Sequence, residues 1–278
     1  MYLGARVNFT LVVLGAVARA TAHDPSAAPA IVAFNSADKT LHGLLYKPPG
    51  PGPFSAVLYN HGSAPGLINN GAFDLIAPVF LAKGWVFFAP YRRGQGLSAE
   101  AGPYIGDENA FARARGGQAV AAETMVRMLS NEHLQDQMAA LAWLRRQAFV
   151  RPTQIAVMGN SFGGIETVLG AAQDNYCAPA DASGGAESWD NSPELQAAMT
   201  RAVQHSRSPI FFFQAQNDYS VAPSRILYAA MRAAGAQTEL RIYPAYGNSP
   251  EEGHSFAYRG VDVWKDDVLR FLSGHCQR

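Results

Sequence analysis

Residues 155–165 read Ile-Ala-Val-Met-Gly-Asn-Ser-Phe-Gly-Gly-Ile, and this run constrains the fold more than any other part of the chain. Four strand-favouring residues, 155–158, lead into a turn of small residues, and an apolar, helix-compatible run follows over 165–172. Gly159-Asn160-Ser161-Phe162-Gly163 has the form G-x-S-x-G, which places a serine on a sharp strand-to-helix turn. A nucleophile held there sits on strained backbone, and glycines on either side remove the side chains that would collide. The helix that follows directs its free N–H groups at the serine and favours negative charge beside it.

Around this turn the chain alternates strands and helices. Strands are expected at 31–34, 41–46, 56–59, 85–89, 153–158, 178–181, 209–214 and 239–243. Helical spacing covers 73–83, most of 118–147 with a break near Ser130-Asn131, 223–234 and 261–272. That alternation predicts an α/β fold, a mostly parallel sheet covered by helices on both faces. Two stretches interrupt it: 97–117, which has no clean period and is expected as a mobile loop over a site, and 186–208, expected to be partly helical.

Residues 1–22 have the features of a secretory signal: Arg6, an apolar run over 7–18, and small residues at the cleavage spacing. Residues 23–278 are then expected to form one catalytic domain in a secreted or periplasmic protein, with no integral membrane span once the signal is removed. The 22 basic and 22 acidic residues balance, so no basic stripe suggests nucleic acid as a partner. Export permits a disulfide between the two cysteines, Cys177 and Cys276. Cys177 precedes a strand and Cys276 follows the closing helix, so both belong at the N-terminal edge of the sheet. Neither lies in a ligand-like cluster, and no metal site is expected.

Ser161, Asp218 and His254 each follow an expected strand, in that order along the chain. In a doubly wound sheet the loops at strand C-termini meet at one crevice, so the three can converge there. A serine hydroxyl needs a base to take its proton as it attacks. His254 is the expected base, and Asp218 the carboxylate that orients it, with Asp181 as the rival for that role. The oxyanion donors are expected from backbone: Phe162, directly after the nucleophile, and Ser63 in the loop His61-Gly62-Ser63-Ala64. His61 and Tyr91 are expected to shape the substrate pocket. Arg92 and Arg93 read as structural ion-pair partners.

These residues carry a resemblance. His61-Gly62, the run Pro90-Tyr91-Arg92-Arg93-Gly94-Gln95-Gly96, Gly159 to Gly164, Gln216-Asn217-Asp218 and Gly253-His254 resemble the dienelactone hydrolase and prolyl-oligopeptidase-like branch of the α/β-hydrolases. The resemblance runs over about residues 40–273 and implies a serine hydrolase that needs no cofactor. Position 161 is serine, not the cysteine of true dienelactone hydrolases. At this length the propeller domain of the large oligopeptidases is not expected. The leading expectation is a carboxylesterase acting on small or aromatic acyl esters through an acyl-enzyme. The alternatives are a small serine peptidase of prolyl-oligopeptidase-like type, for which Glu100, Asp107 or Glu108 could anchor a substrate terminus, and a non-catalytic binding protein on a hydrolase scaffold.

Overall fold

The computed structural model describes residues 28–63 and 71–277. The expected signal segment, and Ala64 of the loop after the third strand, lie outside the described residues. Eight strands form one sheet: β1 Ala30–Ser36, β2 Lys39–Tyr46, β3 Phe54–Asn60, β4 Val86–Pro90, β5 Val150–Asn160, β6 Pro179–Ala182, β7 Ile210–Ala215 and β8 Thr238–Tyr243. Their order is β1-β2-β4-β3-β5-β6-β7-β8. β1 and β2 are antiparallel, as are β2 and β4, and every pair from β4 through β3 to β8 is parallel.

The helices are α1 Gly71–Leu81, α2 Ile105–Met128, α3 Leu134–Arg145, α4 Phe162–Ala171, α5 Pro193–His205, α6 Ala222–Ala233, α7 Pro250–His254, α8 Phe256–Arg259 and α9 Val261–Cys276. They cover both faces because the inner strands are apolar on both. Val57, Tyr59, Phe211 and Phe213 pack with α1, α8 and α9, including Phe73, Trp264 and Phe271. The alternate residues face the other layer: Ala56 and Leu58 meet Leu141 and Leu144 of α3, and Phe212 meets Val168 of α4 and Leu227 of α6. This is the α/β-hydrolase arrangement.

The structure corrects one expectation about the connections. The stretch 97–117 is not a loop: a 3-10 turn at Gly96–Ala101 leads into α2. The missing periodicity has a cause. Before Gly117, which interrupts α2 with φ 77° and ψ −166°, the helix buries only Ile105 and Ala112, so this part of it carries no apolar stripe. Between α2 and α3, a wide π turn at Leu129–His133 marks the break expected near Ser130-Asn131. The second stretch carries a 3-10 turn at Trp189–Asn191 and then α5.

Parallel topology sorts the chain by edge. Ser161, Asp218 and His254 all follow the C-terminal ends of strands, whereas Cys177 precedes β6 and Cys276 ends α9. The two cysteines are joined by a disulfide, with Cα atoms 4.9 Å apart, which ties 99 residues of chain into one loop. Closing a loop of that length restricts the unfolded chain by roughly 4–5 kcal/mol, less whatever the native state loses in strain. Replacing both cysteines with alanine should therefore lower the unfolding free energy by about 2–5 kcal/mol. Denaturant titration of parent and variant measures it, and an unchanged midpoint would show that the bond contributes nothing.

Candidate active site

Ser161 sits where β5 becomes α4, with φ 56° and ψ −121°. A non-glycine residue reaches this region only when its surroundings hold it there. Two backbone bonds do so. Ser161 N donates to Ala182 O of the next strand at 3.0 Å, and Ser161 O accepts from Ile165 N at 3.1 Å, opening α4. The glycines are required by close approach rather than by φ. A Cβ on Gly163 would lie 1.9 Å from Asn60 O, and one on Gly159 would lie 2.2 Å from Gly163 O. α4 therefore starts directly against the end of β3.

That contact brings the loop after β3 beside the serine. Asn160 Oδ1 accepts from Tyr59 Oη at 2.8 Å and from Gly62 N at 3.1 Å. Arg92 clamps the same loop from behind. Its guanidinium donates to His61 O and, at 2.9 Å, to Gly62 O, while its other terminal nitrogen pairs with Glu166 of α4. Gln95 takes the remaining Nε proton at 2.5 Å. Both charges of the Arg92–Glu166 pair are buried. Burial raises the Glu166 carboxyl, and Arg92 opposes it. His61 is held well below its ordinary value, first by burial and then by the Arg92 charge, so its ring is neutral.

His61 is buried, with its ring 5.6 Å from that of Tyr91, which is also buried. His61, Gly62 and Ser63 border a cavity of about 450 Å³ together with Tyr258 and Arg259. Tyr91 lies behind that wall, against Phe73. Ser63 Oγ is 2.9 Å from Tyr104 Oη, at the start of α2.

The other side of the site is built from β7 and β8. His254 ends α7, a short helix capped by the Ser249 side chain, which accepts from Glu252 N at 3.2 Å, with Pro250 in its first turn. His254 Nδ1 lies 2.8 Å from Asp218 Oδ1. That oxygen also accepts from Tyr219 N at 2.7 Å, and Oδ2 accepts from Gln214 Nε2 at 3.1 Å. Asn217 pins the two loops together, donating to Tyr246 O at 3.0 Å and Ser249 O at 2.9 Å. His254 Nε2 is buried and has no hydrogen-bond partner among the described residues. Ser161 and Asp218 follow strands two apart in the sheet, and of the three candidate residues the structure joins Asp218 and His254 by a hydrogen bond.

Asp181 lies between them on β6 and is fully buried. It does not reach His254: Oδ1 accepts from Gly184 N at 2.8 Å and Oδ2 has no hydrogen-bond partner among the described residues. Its carboxyl is pushed up to about 7, chiefly by burial, with the Gly184 N–H opposing and the Asp218 charge adding. Glu100, Asp107 and Glu108 are not among the cavity-lining residues beside Phe162; Asn109, Arg113 and Glu187 are. Among the described residues no group of three or more His, Cys, Asp or Glu side chains is placed to hold a metal ion. No described helix is long and apolar enough to cross a membrane.

Arg92 and Arg93 form the ion pairs expected of them, with Glu166 and Asp136, but the other supports were not foreseen. Asn160 and Asn217 are direct neighbours of the candidate residues, and Arg92 lies inside a quoted motif, yet nothing local shows what each one grips. Glu166 is one polar position in the apolar run of α4.

Two outcomes follow. Arg92→Met leaves Glu166 buried without its partner and should cost about 3–5 kcal/mol, with much of the loss recovered in Arg92→Met/Glu166→Leu. Urea unfolding of both variants reads this, and an unchanged single variant would deny the clamp. The second concerns pH. Asp181 has a higher pKa folded than unfolded, so the unfolded chain releases that proton first. Stability is then full below about pH 4 and falls as pH rises toward 7. Asp181→Asn keeps the acceptor for Gly184 N and removes the ionisation. The variant should gain on the parent between about pH 4 and 7, and parallel stability curves would refute the assignment.

The fold is shared with solved structures at low identity. The Pyrococcus horikoshii acylaminoacyl peptidase matches with TM-score 0.66 and 16% identity, over 90% of this chain and 42% of its own. A Mycobacterium tuberculosis puromycin-hydrolyzing peptidase matches with TM-score 0.63 and 14% identity, over 89% of this chain and 39% of its own. The chain thus spans about two-fifths of those peptidases. It covers 93% of the Pyrococcus furiosus esterase Pf2001, which matches with TM-score 0.63 and 16% identity over 89% of this chain. No curated protein matches the chain. The profile of the dienelactone hydrolase family matches residues 41–268, and the chain belongs to that family.

Proposed function

We propose that the protein is a serine hydrolase in which Ser161 attacks the carbonyl carbon of a small acyl substrate. The observation that carries this is the His254–Asp218 contact at 2.8 Å, formed at the sheet edge that also presents the strained Ser161. His254 Nε2 takes the serine proton during attack and delivers it to the leaving group. Asp218 fixes the tautomer with Nδ1 protonated and stabilises the imidazolium. The oxyanion forms between Phe162 N–H and Ser63 N–H. Gly62 N–H is already engaged by Asn160, which leaves the loop's donation to Ser63. Water then resolves the acyl-enzyme along the same path.

For the substrate we favour short peptides and aminoacyl amides, the reading as a small serine peptidase. The support is the company of the fold, which includes an acylaminoacyl peptidase and a puromycin-hydrolyzing peptidase. A carboxylesterase is the second reading, supported by the near full-length correspondence with the Pyrococcus furiosus esterase. Amide hydrolysis demands firm protonation of a poor leaving group, so the two differ in turnover on amides rather than in machinery. We further propose export directed by residues 1–22. The Cys177–Cys276 bond supports it, because such bonds persist in oxidising compartments.

Aminoacyl anilides and p-nitrophenyl esters, assayed side by side, separate the readings. Turnover of both supports the peptidase, esters alone the esterase, and neither refutes a hydrolase. Ser161→Ala should abolish turnover, and Asp218→Asn should lower kcat by about three to four orders of magnitude. Asp181→Asn should leave kcat near the parent value, and a loss matching that of Asp218→Asn would move the orienting role to β6.

A further inference from the structure

Tyr219, directly after Asp218, touches the imidazole of His254. The two rings meet edge-on, with centroids 5.3 Å apart and planes at 62°. Tyr219 is 40% exposed, so the apolar core does not account for its place. Its backbone does. Tyr219 N donates to Asp218 Oδ1 at 2.7 Å, the same oxygen that lies 2.8 Å from His254 Nδ1. Gln214, fully buried on β7, holds the residue on each side of Tyr219. Its Nε2 donates to Asp218 Oδ2 at 3.1 Å and to Ser220 O at 2.9 Å. Its Oε1 accepts from Ser224 Oγ in the first turn of α6, which fixes the amide in turn.

The ring contact has a mechanical meaning. One hydrogen bond at Nδ1 fixes a corner of the imidazole. The ring can still swing about that corner, because the terminal torsion of histidine is broad. A swing carries Nε2 with it, on the far side of the ring. A second contact, away from the hydrogen bond, removes the swing. Tyr219 supplies one, and its own N–H ties it to Asp218, so the carboxylate and the brace keep one register. A proton is exchanged only within hydrogen-bond reach. Misplacing a reacting group by about 1 Å can cost on the order of 100-fold in rate.

We propose that Tyr219 is a positioning residue for His254: its ring holds the plane of the imidazole, so that Nε2 stays fixed for its exchange of a proton with Ser161, while Asp218 holds the tautomer. The proposal rests on the serine hydrolase reading and adds a residue to it. The ring carries the effect and the phenol hydroxyl does not. Tyr219 acts through His254, so its effect belongs to the chemical step and not to substrate binding.

The test uses p-nitrophenyl acetate and p-nitrophenyl butyrate, which differ only in acyl length. Tyr219→Leu should lower kcat by about tenfold or more, by the same factor for both esters, with KM near the parent value. Tyr219→Phe keeps the ring and should restore most of the parent kcat. Ring motion is read directly by magnetic resonance relaxation of protein labelled at histidine Cε1, the His254 signal being assigned by its loss in His254→Gln. The ring should be rigid in the parent and in Tyr219→Phe, and mobile in Tyr219→Leu. A Tyr219→Leu variant with the parent kcat, a loss carried by KM or differing between the esters, or a Tyr219→Phe variant as slow as Tyr219→Leu would overturn the proposal while the hydrolase stands. Absence of parent turnover on both esters and on aminoacyl anilides would overturn the hydrolase reading. A His254 ring as rigid in Tyr219→Leu as in the parent would refute the positioning role whatever the turnover.

Discussion

The approach of α4 to the end of β3 is the contact on which the site depends. With hydrogen in place of a side chain at Gly163, the first turn of the helix can rest on Asn60 O, where a Cβ would stand only 1.9 Å away. Any larger residue would push the helix off the strand and pull Ser161 out of its φ 56° conformation. It would also part Asn160 from Gly62, since the bond between them spans the same junction. One missing methyl group thus sets Ser161 and the facing loop in a single geometry.

Rigidity around that junction comes from buried polar groups rather than from apolar packing alone. Arg92 satisfies the carbonyls of His61 and Gly62 and a carboxylate on the elbow helix at once. A buried ion pair of this kind is expensive to desolvate and adds little net stability over an apolar substitute. Its value lies in direction: a planar guanidinium fixes a loop that has no regular structure of its own. Asn217 plays the corresponding part between β7 and α7, with a neutral amide in place of a charge.

Two carboxylates on neighbouring strands show how environment separates roles. Asp218 accepts hydrogen bonds from Tyr219 N and Gln214 Nε2, and it faces His254. Asp181 receives one bond, is wholly buried, and is pushed toward its neutral form. Only the first has the geometry to orient an imidazole.

Much of this was legible in the chain before folding. Gly159, Ser161 and Gly163 mark the strand-to-helix turn because the spacing itself carries the steric requirement, and the alternation of apolar runs points to an open, mostly parallel sheet. From these, the order Ser161, Asp218, His254 and their common sheet edge follow by topology. The stretch 97–117 was not legible, because the part of α2 that starts in it buries only Ile105 and Ala112 and so has no apolar stripe for periodicity to measure. Nor were the partners of Arg92, Asn160 and Asn217, whose contacts join segments far apart in sequence. Local sequence determined which residues could do chemistry and which edge would present them. Only the tertiary structure decided which carboxylate meets His254 and which polar groups brace the loops, because those choices depend on distances across neighbouring strands that no local pattern encodes.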